Sequence, residues 1–407
     1  MGAHEDRDGH LLGRREFLRW AGLALLGGTG LVRCSGGTRK ALDALEDLAT
    51  TDSLVEEALP PLGVESVQGW KGLADLPWFE LDKDGHLRCT VNIADAIDIH
   101  THLGFAYVAS PKIDLLASSQ DVLYLMDCDG VQPKCTVDFE KYLNQVATPE
   151  MLERLDSEIA ASLSTKGSAY ARTHTIPNLL AEMDRMGVKR AVVHAVDVGF
   201  DPSDDPTSDW LDAIEAANAK DRLILFASVH PRYSDAPQRI AKWKTRGIRG
   251  LKVHPTMQRF APDDPQCQPL YQACRDHHLP VFYHCGRTGV EPELVQQFAE
   301  GQHYVQPPHD YPDVTFVLGH SGAVMDFEAA LALAKECKNV YLDVHGQGIT
   351  HIETMIREVG PDRMMYGTDW PFYPEAAMLA RVLHVTRADP GLRRQVLETT
   401  GKALLGI

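Results

Sequence analysis

A parallel α/β barrel of eight strands, the (β/α)8 or TIM-barrel class, is the fold that this 407-residue chain predicts. Three observations carry the prediction. From Ile176 onward, short apolar runs alternate with amphipathic stretches of helical period, the pattern of parallel βαβ units. With the run Ala96–His102 counted first, there are eight such runs, each followed by helix-like sequence. Several of the runs also end on an ionisable residue, at the strand end where barrels of this kind place their active sites.

Residues 1–34 stand outside the pattern. Arg14-Arg15 is followed by Phe17-Leu18 and then by an uncharged, glycine-rich apolar run from Trp20 to Val32, too short for a stable bilayer span. That is the form of a twin-arginine export signal, and the run has no polar face that would make it an amphipathic helix instead. The expected location is therefore exported, periplasmic or extracytoplasmic. Arg33 stands where a lipoprotein cleavage site has a small residue, so the reading favours a cleaved signal over a lipid anchor at Cys34.

Residues 35–86 read as a linker or N-terminal arm, helix-prone in parts and interrupted by Pro60-Pro61 and Gly63. The barrel is read as 87–407, with Leu87–His102 as an edge strand feeding the first core strand. Residues 103–173 form a long insertion with a helix expected over Thr148–Ser162, and an excursion of this length after a barrel strand lies over the active site. The other seven strands are expected at 190–196, 222–229, 249–254, 280–284, 314–320, 339–345 and 363–369, with helical sequence from Glu375 towards the end.

Apolar residues make up 44% and charged residues 24% of the chain, ordinary values for a globular protein. The net charge of −17, with no basic cluster, excludes nucleic acid and anionic membrane surfaces as natural partners. The partners expected are a small-molecule substrate, with a carboxylate among the candidates, the twin-arginine export machinery, and a second copy of the chain if a homodimer forms. Seven cysteines beyond residue 34 have no framework or zinc-ribbon spacing. Cys267 and Cys274 on one helix would lie about 10 Å apart, too far to bridge. Cys128 and Cys135 share a loop in which pairing is open.

The stretch AIDIHTHLG at 96–104 organises the chemistry. In a strand, residues two apart share a face, so His100 and His102 project together with Asp98 behind them, while Ile99 and Thr101 face the other way. Paired imidazoles at a strand end suit a divalent metal, although by themselves they are equally two polar residues leaving a strand. The later strands supply Lys252 and His254, His284, His320, Asp343 and His345, and Asp369. Six strand ends with ionisable groups would be costly to bury in a packed barrel without a ligand. A metal site is the economical explanation.

The motifs DIHTH at 98–102, GLKVHP at 250–255, VFYHCG at 281–286, VLGHSG at 317–322 and GTDWPF at 367–372 resemble the amidohydrolase superfamily. Within it they are similar to the amidohydrolase-related branch that includes aminocarboxymuconate-semialdehyde decarboxylase. The resemblance covers about residues 94–407, less the insertion. It implies that His100, His102, His284 and Asp369 hold one divalent metal, zinc before manganese, and leave a position open for water. Asp369 would also accept the water's proton, while His320 would orient water or substrate and shuttle a proton. A second metal bridged by carbamylated Lys252 is the less favoured arrangement. Uncarbamylated, Lys252 would hold a substrate carboxylate, and His254 would contact substrate or support the site. Arg287 would either grip an anionic substrate or form a surface ion pair. His194 and His230 read as structural, and His345 with Asp343 as a satisfied core network. Trp370-Pro371-Phe372 walls the pocket or packs under the rim. Two places depart from the family pattern: Gly401-Lys402-Ala403-Leu404-Leu405 replaces a common Asn-Ala-x-x-Leu motif, and the 103–173 insertion is extra.

The expected activity is a metal-dependent hydrolase in which activated water attacks an ester, lactone or amide carbonyl, with export favouring hydrolysis. The alternative is a metal-dependent decarboxylase or hydratase, a lyase acting on an aromatic or unsaturated carboxylate. A non-catalytic binding protein on the same scaffold ranks last, because no position of the ligand set is missing.

Overall fold

The computed structural model describes residues 58–407 except residue 94. The export-signal reading of residues 1–34 and the start of the arm, 35–57, lie outside the described residues.

The rest of the arm packs on the barrel and buries Trp70 and Trp78. Its strand β1 (Ser66–Gln68) pairs antiparallel with a strand of the insertion, and β2 (Phe79–Leu81) forms a hairpin with β3 (Leu87–Cys89). The single edge strand expected over Leu87–His102 is thereby corrected. Leu87–Cys89 finds an antiparallel partner in Phe79–Leu81 and leaves the barrel sheet, which begins at β4 (Ile97–Thr101).

Inside the insertion, β5 (Thr136–Asp138) is the partner of β1, and helix α1 (Pro149–Ser162) starts where Thr148 accepts a hydrogen bond from the Met151 amide. A proline at the first helical position, whose amide would have been unpaired in any case, reinforces that start. A Cys128–Cys135 disulfide, with Cα atoms 5.2 Å apart, closes the loop ahead of β5. It resolves the pairing that the sequence left open.

Seven further parallel strands follow β4: β6 (Arg190–His194), β7 (Leu223–Ala227), β8 (Gly250–Val253), β9 (Val281–His284), β10 (Phe316–Gly319), β11 (Val340–Asp343) and β12 (Met364–Met365). Each pairs with its sequence neighbours around the sheet. Between β12 and β4 the ring is closed by amide-to-carbonyl bonds from Ile99 to Tyr366 (2.8 Å), Asp369 to His100 (2.8 Å) and His102 to Trp370 (2.7 Å). The last two bonds tie the chemistry-bearing ends of the first and eighth strands directly together. Ile97, Ile99, Val192, Phe226, Phe282, Val317 and Met365 fill the barrel beneath those ends as one apolar cluster.

Candidate metal centre

The first strand departs from simple alternation. Its register against β6 shifts between Asp98 and Thr101, the mark of a bulge. Ile97 and Ile99 belong to the interior cluster, yet His100 also faces inward, its ring 4.7 Å from Phe282 and 5.2 Å from His194. Asp98 is turned away: its carboxylate accepts from Thr368 Oγ1, from the Thr368 amide at 3.2 Å and from the His100 amide at 2.9 Å. The expectation that Asp98 backs the histidines on one face, with Ile99 opposite, is corrected. The extra residue at the bulge flips parity, which aims His100 and His102 inward and leaves Asp98 to fasten the first strand to the eighth.

Each of three imidazoles has one nitrogen committed to an acceptor. His100 Nδ1 donates to Asp343 Oδ2 at 2.8 Å, His102 Nδ1 to the His194 carbonyl at 3.0 Å, and His284 Nε2 to Glu291 Oε1 at 2.9 Å. The other nitrogen of each then carries a lone pair, and these converge. His100 Nε2 and His102 Nε2 lie 3.3 and 3.2 Å from Asp369 Oδ1, while His284 Nδ1 lies 3.0 Å from His320 Nε2. Ligating atoms of His100, His320 and Asp369 all fall within 4.8 Å of one another, which joins the two groups. Donor–donor spacings of this size match the roughly 3.3 Å edges of a tetrahedron whose metal–ligand bonds are about 2.0–2.1 Å. The donor atoms of His100, His320 and Asp369 therefore lie where one divalent cation could be held, with His102 beside Asp369 and His284 beside His320. His320 (φ 67°) and Asp369 (φ 55°) both hold left-handed backbone conformations, strain of the kind that accumulates at functional sites.

Burial keeps the His100, His102 and His320 pKa values below the ordinary histidine value, so the neutral, ligand-competent rings are favoured. Burial pulls Asp369 upward, but the His102 hydrogen bond and the neighbouring His345, His102 and Lys252 outweigh it and hold the carboxyl below its usual value.

Lys252 lies in the fourth strand and His254 just past its end, and the two-residue step separates their levels. His254 lines the cavity above the site, its ring stacked on His284 at 4.1 Å. Lys252 sits a layer deeper, fully buried, with Nζ 3.2 Å from His100 Nε2 and over the Phe282 ring; burial lowers its pKa to about 7. It does not line the cavity, and of the two only His254 does. Arg287 is redirected. Its backbone amide, Nε and Nη2 all donate to Asp326 at 2.8–3.0 Å, so the fork is closed on a protein carboxylate outside the cavity.

His194 donates to the Ile99 carbonyl and His230 to that of Gln258, both at 2.8 Å, as structural residues do. Asp343 is more than a core group, since it fixes the His100 tautomer. His345 is no satisfied core residue: fully buried, it lines the cavity with neither ring nitrogen hydrogen-bonded. Of the WPF triplet, Phe372 lines the cavity, while Trp370 is buried and donates to Glu182 at 2.8 Å. Sequence reasoning missed Glu291 entirely. It follows His284 by seven residues in an irregular loop, where no period signals a direction.

Above the donors lies a cavity of about 280 Å³. Its floor is made by His102, His254, His284, His320, His345 and Asp369. Much of its roof comes from the insertion, through Phe105, Tyr107, Leu125, Met126, Tyr142, Leu155, Ile159 and Leu163.

Comparison with known proteins agrees with this architecture. A family model described as Amidohydrolase matches residues 97–407. The uncharacterized protein y4mH of Sinorhizobium fredii is 23% identical over 228 residues, 50% of this chain and 74% of that protein. An uncharacterized TIM-barrel protein from Bordetella bronchiseptica superposes with a TM-score of 0.52 at 17% identity, covering 76% of this chain and 98% of its own. A 5-carboxyvanillate decarboxylase from Novosphingobium aromaticivorans, solved with manganese and 4-hydroxy-3-methoxy-5-nitrobenzoic acid, gives a TM-score of 0.50 at 17% identity, covering 64% of this chain and 89% of its own. At such identities the two structures support the barrel fold alone. The family match runs from the first barrel strand to the final residue, and the chain belongs to the amidohydrolase family of metal-dependent enzymes.

Proposed function

We propose that this protein is a metal-dependent hydrolase that adds water to the carbonyl of a small ester, lactone or amide. One observation carries the proposal: three imidazoles are each fixed in one tautomer by an outer partner, and the lone pairs of His100 and His102 lie beside Asp369 while that of His284 lies beside His320. His100, His102, His284 and Asp369 would hold one divalent cation, with His320 beside them. Imidazole-rich donors favour zinc, and manganese is the ion named for the Novosphingobium relative. Such a cation supplies Lewis-acid polarisation and brings the pKa of a water towards neutrality. Asp369 would accept a proton from that water, a role supported by its position beside His100 and His102. His320 would pass one on to the leaving group, a role supported by its hydrogen bond with His284 at 3.0 Å. His345 offers two unpaired nitrogens for orienting the carbonyl compound.

Export is proposed on the twin-arginine pattern, and the Cys128–Cys135 disulfide supports an oxidising compartment. The rival reaction is decarboxylation or hydration of an aromatic or unsaturated carboxylate, supported by the activity named for the Novosphingobium relative.

The deciding experiment purifies the protein without added metal, measures bound metal, and then screens neutral esters and lactones beside aromatic carboxylates. About one ion per chain, with acid released from esters or lactones, is expected. Carbon dioxide from the carboxylates, with no ester or lactone turned over, would replace the hydrolase by the lyase.

A further inference from the structure

We infer that the substrate is an uncharged, largely apolar ester or lactone whose body packs beneath the inserted roof, and not a molecule carrying a free carboxylate. This rests on the hydrolase reading of the same site.

Among the described residues, four cations lie near the cavity, and each is bonded to the protein; Arg381, behind His345 and Tyr373, is fully buried and donates to the Gly346, Gln347 and Asp138 carbonyls at 2.9–3.0 Å. Lys252 is sealed beside His100 and does not line it. Arg287 is clasped by Asp326 outside it. Arg259 alone lines it, but Nη2 donates to the Val198 carbonyl at 3.0 Å and the guanidinium lies over the Phe200 ring at 4.2 Å. The charged groups on the wall near the donors are instead the carboxylates of Glu291 and Asp369. A substrate carboxylate under the roof, away from the cation proposed for the floor, would lose its hydration against Leu155, Leu163 and Phe105 with no unengaged cation among the described residues to replace it. An apolar body gains from the same contacts. The apolar wall continues to the mouth, where Ile159 and Phe200 are 43% and 47% exposed. Polar demand is confined to the floor, where the unpaired His345 can donate to an ester or lactone oxygen.

The test compares phenyl acetate, phenyl butyrate and phenyl hexanoate with monophenyl adipate, which is phenyl hexanoate with its terminal methyl replaced by a carboxylate. With metal-loaded enzyme, kcat/KM should climb about fourfold per methylene that reaches the roof. It should fall at least about tenfold from hexanoate to adipate, the scale of leaving a charge unpaired. An unreactive pair, 1-phenylheptan-2-one and 6-oxo-7-phenylheptanoate, is titrated calorimetrically, so that binding is read without turnover. The neutral ketone should bind at least about tenfold tighter. Ile159→Lys, at an exposed helix position, should raise the adipate-to-hexanoate ratio several-fold, a reversal that a purely structural role cannot produce. Ester hydrolysis with adipate equal to or better than hexanoate overturns the inference and leaves the hydrolase standing. Equal or tighter binding of the keto acid overturns it whatever the turnover. Carbon dioxide release without ester or lactone hydrolysis overturns both.

Discussion

The floor and the roof of the cavity come from different stretches of chain and from opposite kinds of side chain. The floor is a ring of histidines and one aspartate, set at the ends of strands that hydrogen bonds lock to one another. Three rings of the site are each held by a second group: Asp343 for His100, a backbone carbonyl for His102, Glu291 for His284. The roof is mostly apolar, comes largely from the 103–173 insertion, and is fixed by packing and by a disulfide. The two meet at Glu182, which accepts from Tyr124 of the insertion (2.7 Å), from Trp370 (2.8 Å) and from the Glu375 amide (2.8 Å). A rigid polar floor suits bond-making, and a replaceable apolar lid suits selection. Changes in the two regions should therefore have separable consequences.

The largest effect should follow from His100→Ala. Bound metal should be lost and turnover should fall by on the order of 10³-fold, the scale of removing a principal electrostatic stabiliser. Retained metal measured by mass spectrometry, with turnover intact, would break the comparison at its root. Next come the groups behind the ligands: Glu291→Gln and Asp343→Asn should each weaken metal affinity about 10–100-fold, read by competition with a chelator. Glu291→Gln separates an orienting carboxylate from a mere wall residue, because a wall residue leaves metal affinity unchanged.

On the roof, Cys128→Ser with Cys135→Ser should cost roughly 2 kcal/mol by opening a short loop, seen as a lower Tm and faster proteolysis of the insertion. Metal content should not move. Beside the junction, Glu375 is fully buried with neither carboxylate oxygen bonded, and burial, then Asp98 and Glu182, raise its pKa well above the ordinary value. The folded chain keeps that proton where the unfolded chain has lost it, so this group's contribution to stability declines as pH rises above about 4.3. Glu375→Gln removes the dependence. Its Tm relative to wild type should improve steadily between pH 4 and pH 7, and a constant difference would contradict the assignment. The smallest effect on catalysis belongs to Arg287→Gln, which should cost about 1 kcal/mol of stability through the lost Asp326 pair and change KM by less than about threefold.

Much of this site is legible in the chain because the relevant information is local. The two-residue step of a strand and its recurrence place His102, His254, His284, His320 and Asp369 at one rim. The failures are equally instructive. Asp98 was misdirected because a bulge inserts one residue into the count, and the shift is defined only against the neighbouring strand. Arg287 resembled an anion clamp until folding brought Asp326 to it from 39 positions away. Glu291 carried no signal, since a loop has no period. His345 reads as packing in the sequence, and only its surroundings show that neither ring nitrogen is hydrogen-bonded while Nε2 lies 3.7 Å from Asp369.

By itself, then, the sequence determined the barrel, the order of its strands and the donor types at their ends, because strand period and apolar alternation are written residue by residue. Only the tertiary structure decided which nitrogen of each histidine is free, which carboxylates stand behind the rings, where every nearby cation is spent and what covers the site. Those are relations between residues far apart in the chain, and they exist only once the barrel closes and the insertion folds down upon it.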